Sequence, residues 1–506
     1  MTTSQRQNIL FLFTDQQRVD TLGCYGNTVC RTPALDELAA AGTRFDQCYT
    51  PTAICTPARA TLLTGRLPFQ HALLANFERN VGYREELDAD AVPFSRYLHE
   101  AGYRVGLVGK WHVGRERGPA EYGFEGIHYP GWGNPIHHPD YEAYLAERGL
   151  PPFGLRSEVR TRFPNGQPGN LLAGVLDQPV EATFEYFLAE RTIARLRDYA
   201  RGYHEQDQPF YLACHWFGPH LPYLIPQEYY DRYDPGDVAL PASFAETFAG
   251  KPLVQRHYSR HWGCDGFTPD EWRKLIAVYW GYVTLIDEQV GRILAAVRDL
   301  GLWDTTAIMF SADHGEFTGA HRLEDKGPAM YDDIYHIPLL LRVPGYPEGR
   351  VESRFATLTD FTPTFLDLAG IPAPPQFAGR SLLPLARDEA APDWPDAVIA
   401  EFHGHHFPYP QRMIRTERYK LVVNPADVNE LYDLAADPAE LLNQYEQPAL
   451  AGVRQALLTR LYATLRARGD NFYHWMTTMF EVGGKTYDAA LSDFETARQA
   501  VHGSQV

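Results

Sequence analysis

Two kinds of side chain in this sequence point to chemistry, a candidate nucleophile and a set of candidate metal ligands. The candidate nucleophile is the cysteine of the segment Cys55-Thr56-Pro57-Ala58-Arg59. A cysteine or its derivative can carry covalent catalysis, which divides one difficult displacement into two easier steps. None of the six cysteines forms a CxxC pair, and a lone cysteine is usually a small buried hydrophobe. Only the motif that surrounds Cys55 sets it apart from the other five.

The candidate metal ligands follow two apolar segments. Asp15 comes after the run Ile9 to Phe13, and Asp313 and His314 come after Thr306 to Phe310. A divalent cation lowers the pKa of a bound hydroxyl and neutralises charge on a substrate oxyanion, and carboxylates are suited to hold it. Each residue alone would more often be a capped turn or a solvated carboxylate. Together, behind two apolar strands, they predict a metal site.

A sheet would position these residues. Four apolar segments each end in polar residues, as expected where parallel strands present ligands at their carboxyl ends. They are Asn8 to Phe13, Tyr103 to Gly109, Phe210 to Cys214 and Thr306 to Phe310. Helical patterns alternate with them at Pro33 to Ala41, Pro93 to Ala101 and Leu275 to Leu300. The alternation predicts an α/β fold with a large, mainly parallel sheet flanked by helices.

The chain divides into three predicted parts. Its 506 residues exceed what one hydrophobic core usually supports, and the proline-rich segment 371–375 marks a boundary. We predict a catalytic α/β domain over residues 1–380 and a smaller C-terminal α+β domain over 381–470. The remaining segment, 471–506, is rich in aromatic residues and is a candidate contact in a homo-oligomer.

Composition and charge exclude several classes of protein. Apolar residues make up 44% and charged residues 22%, as in globular rather than disordered or fibrous proteins. The net charge of −18 disfavours nucleic acid and anionic membranes as partners, so an anionic substrate needs a local basic site. The apolar run Ile9 to Phe13 is too short for a signal peptide, and no run approaches the ~20 residues of a membrane span. We expect a cytoplasmic protein.

Two motifs carry a resemblance to a known family. The segment from Ala53 to Gly65 resembles, position by position, the sulfatase motif whose cysteine is oxidised to formylglycine. Gly109-Lys110-Trp111-His112 is similar to the second sulfatase signature. The resemblance continues through Thr32 to Asp36, Pro219 to Pro222, Asp313 to Gly315, Lys326-Gly327 and, in the second domain, Glu430 to Leu434. It implies an alkaline phosphatase-like fold and a sulfuric ester hydrolase of the arylsulfatase type.

The resemblance also implies a metal-ligand set, namely Asp15, Gln16, Cys55, Asp313 and His314. Gln16 stands where many sulfatases have a second aspartate, and His314 where many have asparagine. Calcium favours all-oxygen shells, whereas an imidazole nitrogen suits softer ions such as manganese. We therefore expect one divalent ion, Mn²⁺ in preference to Ca²⁺. The Asp-His pair is similar to that of choline sulfatases and phosphonate monoester hydrolases.

For catalysis, the resemblance implies that Cys55 becomes formylglycine through a formylglycine-generating enzyme that reads the unfolded chain. One hydroxyl of the hydrated aldehyde attacks sulfur, and the other later expels sulfate by re-forming the carbonyl. A histidine pKa near ~6.5 suits the two proton transfers that this requires. The implied roles are sulfate binding by Lys110 and Lys326, pairing with the diol by Arg59, acid by His220, base by His112 and oxyanion contact by Asn76.

Three functions remain open. The first is hydrolysis of a small-molecule sulfate monoester, aryl or small alkyl and choline-like, and Lys110 with His112 favours it because most sulfatases have both. The second is a phosphonate monoester or phosphodiester hydrolase using the same site. The third is a non-catalytic binding relative, which the intact ligand set argues against. We expect the Pro- and Gly-rich segment 130–174 to help select the leaving alcohol.

Overall fold

The computed structural model of the protein describes residues 6–129, 134–163, 165–425 and 427–473. The β-strands of these residues are, in chain order, β1 (Asn8–Thr14), β2 (Thr43–Phe45), β3 (Cys48–Tyr49), β4 (Arg104–Lys110), β5 (Glu125–Tyr129), β6 (Leu155–Arg162), β7 (Pro168–Leu176), β8 (Phe210–His215), β9 (Tyr223–Pro226), β10 (Thr306–Ala312), β11 (Leu339–Arg342), β12 (Arg350–Glu352), β13 (Ala356–Thr357), β14 (Ala397–His405), β15 (Phe407–Thr416), β16 (Tyr419–Val423) and β17 (Glu430–Asp433).

The α-helices of the same residues are α1 (Pro33–Ala40), α2 (Cys55–Thr64), α3 (Pro68–His71), α4 (Arg79–Gly82), α5 (Phe94–Glu100), α6 (Pro139–Arg148), α7 (Phe184–Gln206), α8 (Gln227–Tyr230), α9 (Leu253–Trp262), α10 (Pro269–Asp299), α11 (Asp332–Tyr335), α12 (Phe361–Leu368), α13 (Leu383–Ala386) and α14 (Ala451–Arg468). The longest, α10, begins in a capping box in which Thr268 and Glu271 satisfy each other's backbone amides. Among the described helices, none combines the length and the apolar character that crossing a membrane requires.

The main sheet has the strand order β12-β2-β11-β10-β1-β8-β4-β5. The run from β10 to β5 is parallel throughout. Beyond it, β11 runs antiparallel to both β10 and β2. The prediction of a large, mainly parallel sheet flanked by helices is confirmed, with a short antiparallel addition at one side.

The central strand β1 is buried on both faces, which explains its unbroken apolar sequence. Leu10 and Leu12 pack into the hydrophobic cluster that contains α7 and α10. Phe11 and Phe13 pack into the opposite cluster, where α5 and α12 cover the sheet. There the ring of Phe11 meets Phe365 of α12 edge to face, with 5.2 Å between the centroids. Because both faces are covered, polar side chains occur only at the two ends of the strand.

A smaller antiparallel sheet, in the order β14-β15-β16-β17, forms the C-terminal part. One face packs against α14, where Leu421 and Leu461 share a cluster. The other face packs against the first part of the chain, where Met413 and Val422 share a hydrophobic cluster with Phe317. The smaller C-terminal domain is thus present, and the division at residue 380 stays a prediction. Of the predicted oligomer contact 471–506, residues 474–506 lie outside the described residues.

Candidate active site

The ends of neighbouring strands bring the predicted residues together. Asp15 follows β1, Asp313 follows β10 and Lys110 ends β4, and all three side chains are fully buried. Gly109 precedes Lys110 with a φ of 116°, and a Cβ there would lie 2.0 Å from the carbonyl oxygen of His215. The close approach of β4 and β8 therefore requires glycine at position 109. This packing sets the position of Lys110, the next residue and the last of β4.

Four side chains form a cluster with the character of a metal site. The ligand atoms of Asp15, Cys55, Asp313 and His314 all lie within 4.8 Å of one another. The Sγ of Cys55 is 3.1 Å from Nε2 of His314 and 3.6 Å from Oδ1 of Asp15. The Nδ1 of His314 lies 2.7 Å from the carbonyl oxygen of Gly315, an arrangement that directs a lone pair on Nε2 into the cluster. This set of N, O and S donors fits a divalent ion.

Gln16, the fifth predicted ligand, touches the cluster through its backbone. Its N–H donates to Oδ1 of Asp313 at 3.1 Å. Its side-chain amide turns away: Nε2 donates to Glu316 and, at 3.0 Å, to Asp325, while Oε1 accepts from Nζ of Lys326 at 3.0 Å. The amide oxygen therefore already has a partner, and metal ligation by Gln16 stays a prediction.

Arg59 and Lys110 supply positive charge to the two buried carboxylates. Arg59 bridges them, with Nη2 2.9 Å from Asp15 and Nε 2.9 Å from Asp313. Lys110 places Nζ 2.6 Å from Oδ2 of Asp15. Burial alone would raise the pKa of Asp15, but Lys110 and Arg59 outweigh it and hold that pKa well below its usual value. For Asp313, burial and the charge of Asp15 raise the pKa.

Cys55 is the first residue of α2 and is fully buried. Burial, with the charge of Asp15 beside it, raises the pKa of the Cys55 thiol to about 12. An unmodified thiol there is protonated near neutral pH, whereas the reactive form of cysteine is the thiolate.

His220 and Lys326 form a second pair beside the cluster. The Nζ of Lys326 lies 2.8 Å from Nε2 of His220, and Nδ1 of His220 lies 2.5 Å from the carbonyl oxygen of Leu221. Burial and the charge of Lys326 lower the pKa of His220 well below its usual value. The imidazole is therefore neutral, and Nε2 accepts a hydrogen bond from the ammonium.

The remaining predicted residues are His112 and Asn76. Burial and the charge of Lys110 lower the pKa of His112, and its Nδ1 has no hydrogen-bond partner among the described residues. The Oδ1 of Asn76 accepts from the backbone N–H of Thr56 at 2.9 Å, directly after Cys55 in the chain. A neutral imidazole with an available nitrogen has the properties of a base.

A cavity of about 410 Å³ opens from this site. Its lining includes Asn76, His220 and Lys326 together with residues that the sequence analysis did not select. One of these is Asp325, whose Oδ1 accepts hydrogen bonds from both Gln16 and Lys326 at 3.0 Å. Its position directly before Lys326 was the only signal that the sequence offered for it.

Comparison with known proteins identifies the family of the chain. A family model described as sulfatase matches residues 7–371, and one described as the C-terminal region of N-sulphoglucosamine sulphohydrolase matches residues 319–467. The uncharacterized sulfatase YidJ of Escherichia coli K12 is 30% identical, with 93% of this chain and 90% of that protein covered.

Two further similar proteins are named for an activity. An N-acetylglucosamine-6-O-sulfatase of Bacteroides thetaiotaomicron is 26% identical, covering 92% of this chain and 88% of that protein. The crystal structure of the phosphonate monoester hydrolase of Agrobacterium radiobacter superposes with a TM-score of 0.76 at 27% identity, covering 92% of this chain and 96% of that one. Sequence and fold thus agree with relatives along nearly the whole chain, and the chain belongs to the sulfatase family of hydrolases.

Proposed function

We propose that the protein hydrolyses a sulfate monoester, using formylglycine at position 55 and one divalent ion. The observation that carries the proposal is the cluster of Asp15, Cys55, Asp313 and His314, with Lys110 and Lys326 beside it. It joins a nucleophile position, metal ligands and cations for an anionic group in one buried site of an otherwise acidic protein. The imidazole nitrogen among the ligands supports Mn²⁺ over Ca²⁺.

When bound, the divalent ion lowers the pKa of the attacking hydroxyl and offsets charge on the sulfate oxygens. Around it, Arg59 orients the two carboxylates by bridging them. Lys110 and Lys326 bind the sulfate oxygens and favour the charge that develops as the ester bond breaks. Asn76 contacts the backbone beside position 55, and the neutral His112 is suited to accept a proton in the second step.

The leaving alcohol receives its proton from the His220–Lys326 pair. The ammonium of Lys326 donates from Nζ to Nε2 of His220 over 2.8 Å, and both residues line the open cavity. An alkyl alcohol is a poor leaving group unless it is protonated, whereas a nitrophenolate leaves readily as an anion.

Replacement of His220 by asparagine is therefore expected to affect alkyl substrates selectively. We expect kcat/KM to fall ~10²-fold or more on an alkyl sulfate and by less than ~10-fold on p-nitrophenyl sulfate, since general acid catalysis is typically worth ~10²–10⁴-fold. Steady-state kinetics on both substrates measures the difference. His137→Asn, at a side chain that is 86% exposed, is the control. Equal losses on the two substrates would contradict the acid role.

A hydrolysis screen tests the proposed function. Aryl sulfate, choline sulfate, hexose sulfates and a phenyl phosphonate monoester are compared at equal concentration, with metal-loaded enzyme produced alongside a formylglycine-generating enzyme. We expect the best sulfate ester to exceed the phosphonate at least ~10-fold in kcat/KM, a difference of ~1.4 kcal/mol in transition-state binding. A preference for the phosphonate would overturn the proposal.

Phosphonate monoester hydrolysis is the second candidate. It is favoured by the Asp313-His314 pair and by the similarity to the phosphonate monoester hydrolase structure. Sulfuryl and phosphoryl groups share tetrahedral geometry and differ in charge, so the same nucleophile, ion and lysines could serve either. The presence of both Lys110 and His112 makes sulfate the first choice.

A further inference from the structure

An ion-pair network connects the active site to the C-terminal sheet. It consists of Lys326, Asp325, His405 and Glu78, which all line the cavity of about 410 Å³. The Nζ of Lys326 donates to Oδ1 of Asp325 at 3.0 Å. His405 lies between two carboxylates, with Nε2 3.5 Å from Oδ2 of Asp325 and Nδ1 2.8 Å from Oε1 of Glu78. The proposed function uses only Lys326 of these four residues.

We propose that His405 is a positioning residue for Lys326, which it holds in place through Asp325, so that the C-terminal sheet completes the active site. The inference rests on the proposed function, because that function gives Lys326 the task of binding the anionic group of the substrate. It depends on the contacts of Lys326, on the charge of His405 and on the backbone that places His405 in the network.

The ammonium of Lys326 is only 2% exposed and has an acceptor for each of its three N–H groups. The acceptors are Oε1 of Gln16 at 3.0 Å, Nε2 of His220 at 2.8 Å and Oδ1 of Asp325 at 3.0 Å. Of these three side chains, Asp325 supplies the negative charge. Because a buried ammonium needs a counter-charge, a shift of the Asp325 carboxylate would also move Nζ.

The position of Asp325 depends on contacts from other parts of the chain. Its backbone has a φ of 67°, a left-handed conformation that costs free energy in residues other than glycine. Such a conformation persists where the surrounding structure over-determines it. Oδ1 accepts from Gln16 and Lys326, and Oδ2 faces His405. The contact with His405 therefore restrains the second oxygen and with it the orientation of the carboxylate.

His405 carries a positive charge because both of its nitrogens face carboxylates. Each nitrogen must donate, and only the imidazolium form has two N–H groups. Burial alone would lower the pKa of His405, but Asp325 and Glu78 outweigh it and raise that pKa. Two cations and two carboxylates then alternate along the network, and their charges balance. A neutral side chain at position 405 would leave one carboxylate in excess, which would draw the Lys326 ammonium away from the substrate.

A β-bulge in the C-terminal sheet places His405 in the network. The register of β14 and β15 shifts between Phe402 and Gly404, directly before His405. Bulges bend a strand and often re-aim a side chain next to an active site. Gly404 has a φ of 148°, and a Cβ there would lie 2.7 Å from Cγ1 of Val81 in α4. Glycine thus lets the bulge pack against α4, the helix that begins directly after Glu78.

His405→Gln tests the inference, because glutamine keeps a polar side chain but removes the charge. With metal-loaded enzyme, kcat/KM is measured on p-nitrophenyl sulfate and on a p-nitrophenyl phosphonate monoester. We expect a fall of ~10–100-fold on the preferred ester, as loss of a contact between charged groups causes. In a Lys326→Ala background, which has no lysine to position, the same substitution should cost less than ~3-fold, because effects that act through one group are not additive.

His403→Gln is the matched control. His403 lies on the same strand and pairs with Glu401 at 2.6 Å, but it is not part of the described cavity wall. Its substitution should change kcat/KM less than ~3-fold. Asp325→Asn is the second variant, since asparagine keeps the shape and tolerates the left-handed conformation. It should also lose ~10–100-fold, and again only when Lys326 is present.

The comparison of the two backgrounds decides the positioning role. An unchanged kcat/KM in His405→Gln or in Asp325→Asn would overturn the role, and so would an equal loss with and without Lys326, which is the result of a merely structural effect. The proposed function would then still stand. A preference of the wild-type enzyme for the phosphonate would overturn the proposed function, while the comparison of backgrounds on that ester would still decide whether His405 positions Lys326.

Discussion

Cys55→Ala is expected to lower kcat by at least ~10³-fold on every sulfate ester without unfolding the protein. Loss of a catalytic nucleophile typically removes most of an enzyme's rate enhancement, because the groups around it act as a unit. Alanine fits at the start of α2, where the side chain is fully buried. Steady-state kinetics measures the loss, and thermal unfolding checks that the fold is intact.

Cys24→Ala is the control, because Cys24 is only partly buried and lies outside the cluster. It should retain nearly full activity. Mass spectrometry of the peptide containing residue 55 should find an aldehyde in place of the thiol in active wild-type protein. Full activity in Cys55→Ala would falsify the nucleophile assignment, whatever the substrate.

Removal of the divalent ion is expected to have the second largest effect. Dialysis against a chelator should lower kcat at least ~10²-fold, and Mn²⁺ should restore activity more fully than Ca²⁺, because the ligand set includes Nε2 of His314. The apo protein should also be less stable. An ion present at 100 times its Kd adds about 2.7 kcal/mol to the free energy of unfolding, since it binds only the folded state.

Asp313→Asn tests the same site by substitution. The variant should lose both the bound ion, measured by elemental analysis, and activity, because it removes a carboxylate from the cluster while keeping its shape. Asp304→Asn, outside the cluster, is the control. Wild-type protein should contain one ion per chain, and a metal content unaffected by Asp313→Asn would contradict the ligand assignment.

The fold was predictable where strands are buried on both faces, because such strands have unbroken apolar sequences. Strands β1, β4, β8 and β10 are read from unbroken apolar runs, and α10 from its long apolar periodicity. The antiparallel addition was not predictable in the same way. Strand β2 has three residues and pairs with β11, where Leu341 opposes Thr43 across almost 300 positions of sequence. Contacts at that distance, and not local pattern, decide the pairing.

The residues of the candidate site likewise differ in how far the sequence predicts them. Asp15, Lys110 and Asp313 were identifiable because each stands at or just after the end of a central strand. Glu78 and His405, which line the adjoining cavity and pair at 2.8 Å, were not identifiable, because neither belongs to a recognisable motif. They meet only when the C-terminal sheet packs against the first domain, so their proximity depends on tertiary structure.

The burial of Cys55 beside strands from distant parts of the chain has a consequence for protein synthesis. Strand β1 takes its parallel partners from β8 and β10, so the pocket around position 55 cannot close until the ribosome has passed residue 312. At ~5–20 residues per second, position 55 stays accessible for roughly 10–50 s after it is made. If position 55 carries formylglycine as proposed, a modifying enzyme would have that interval to act. A chain that missed it would fold around the unmodified thiol, so the active fraction of a preparation would be set during translation.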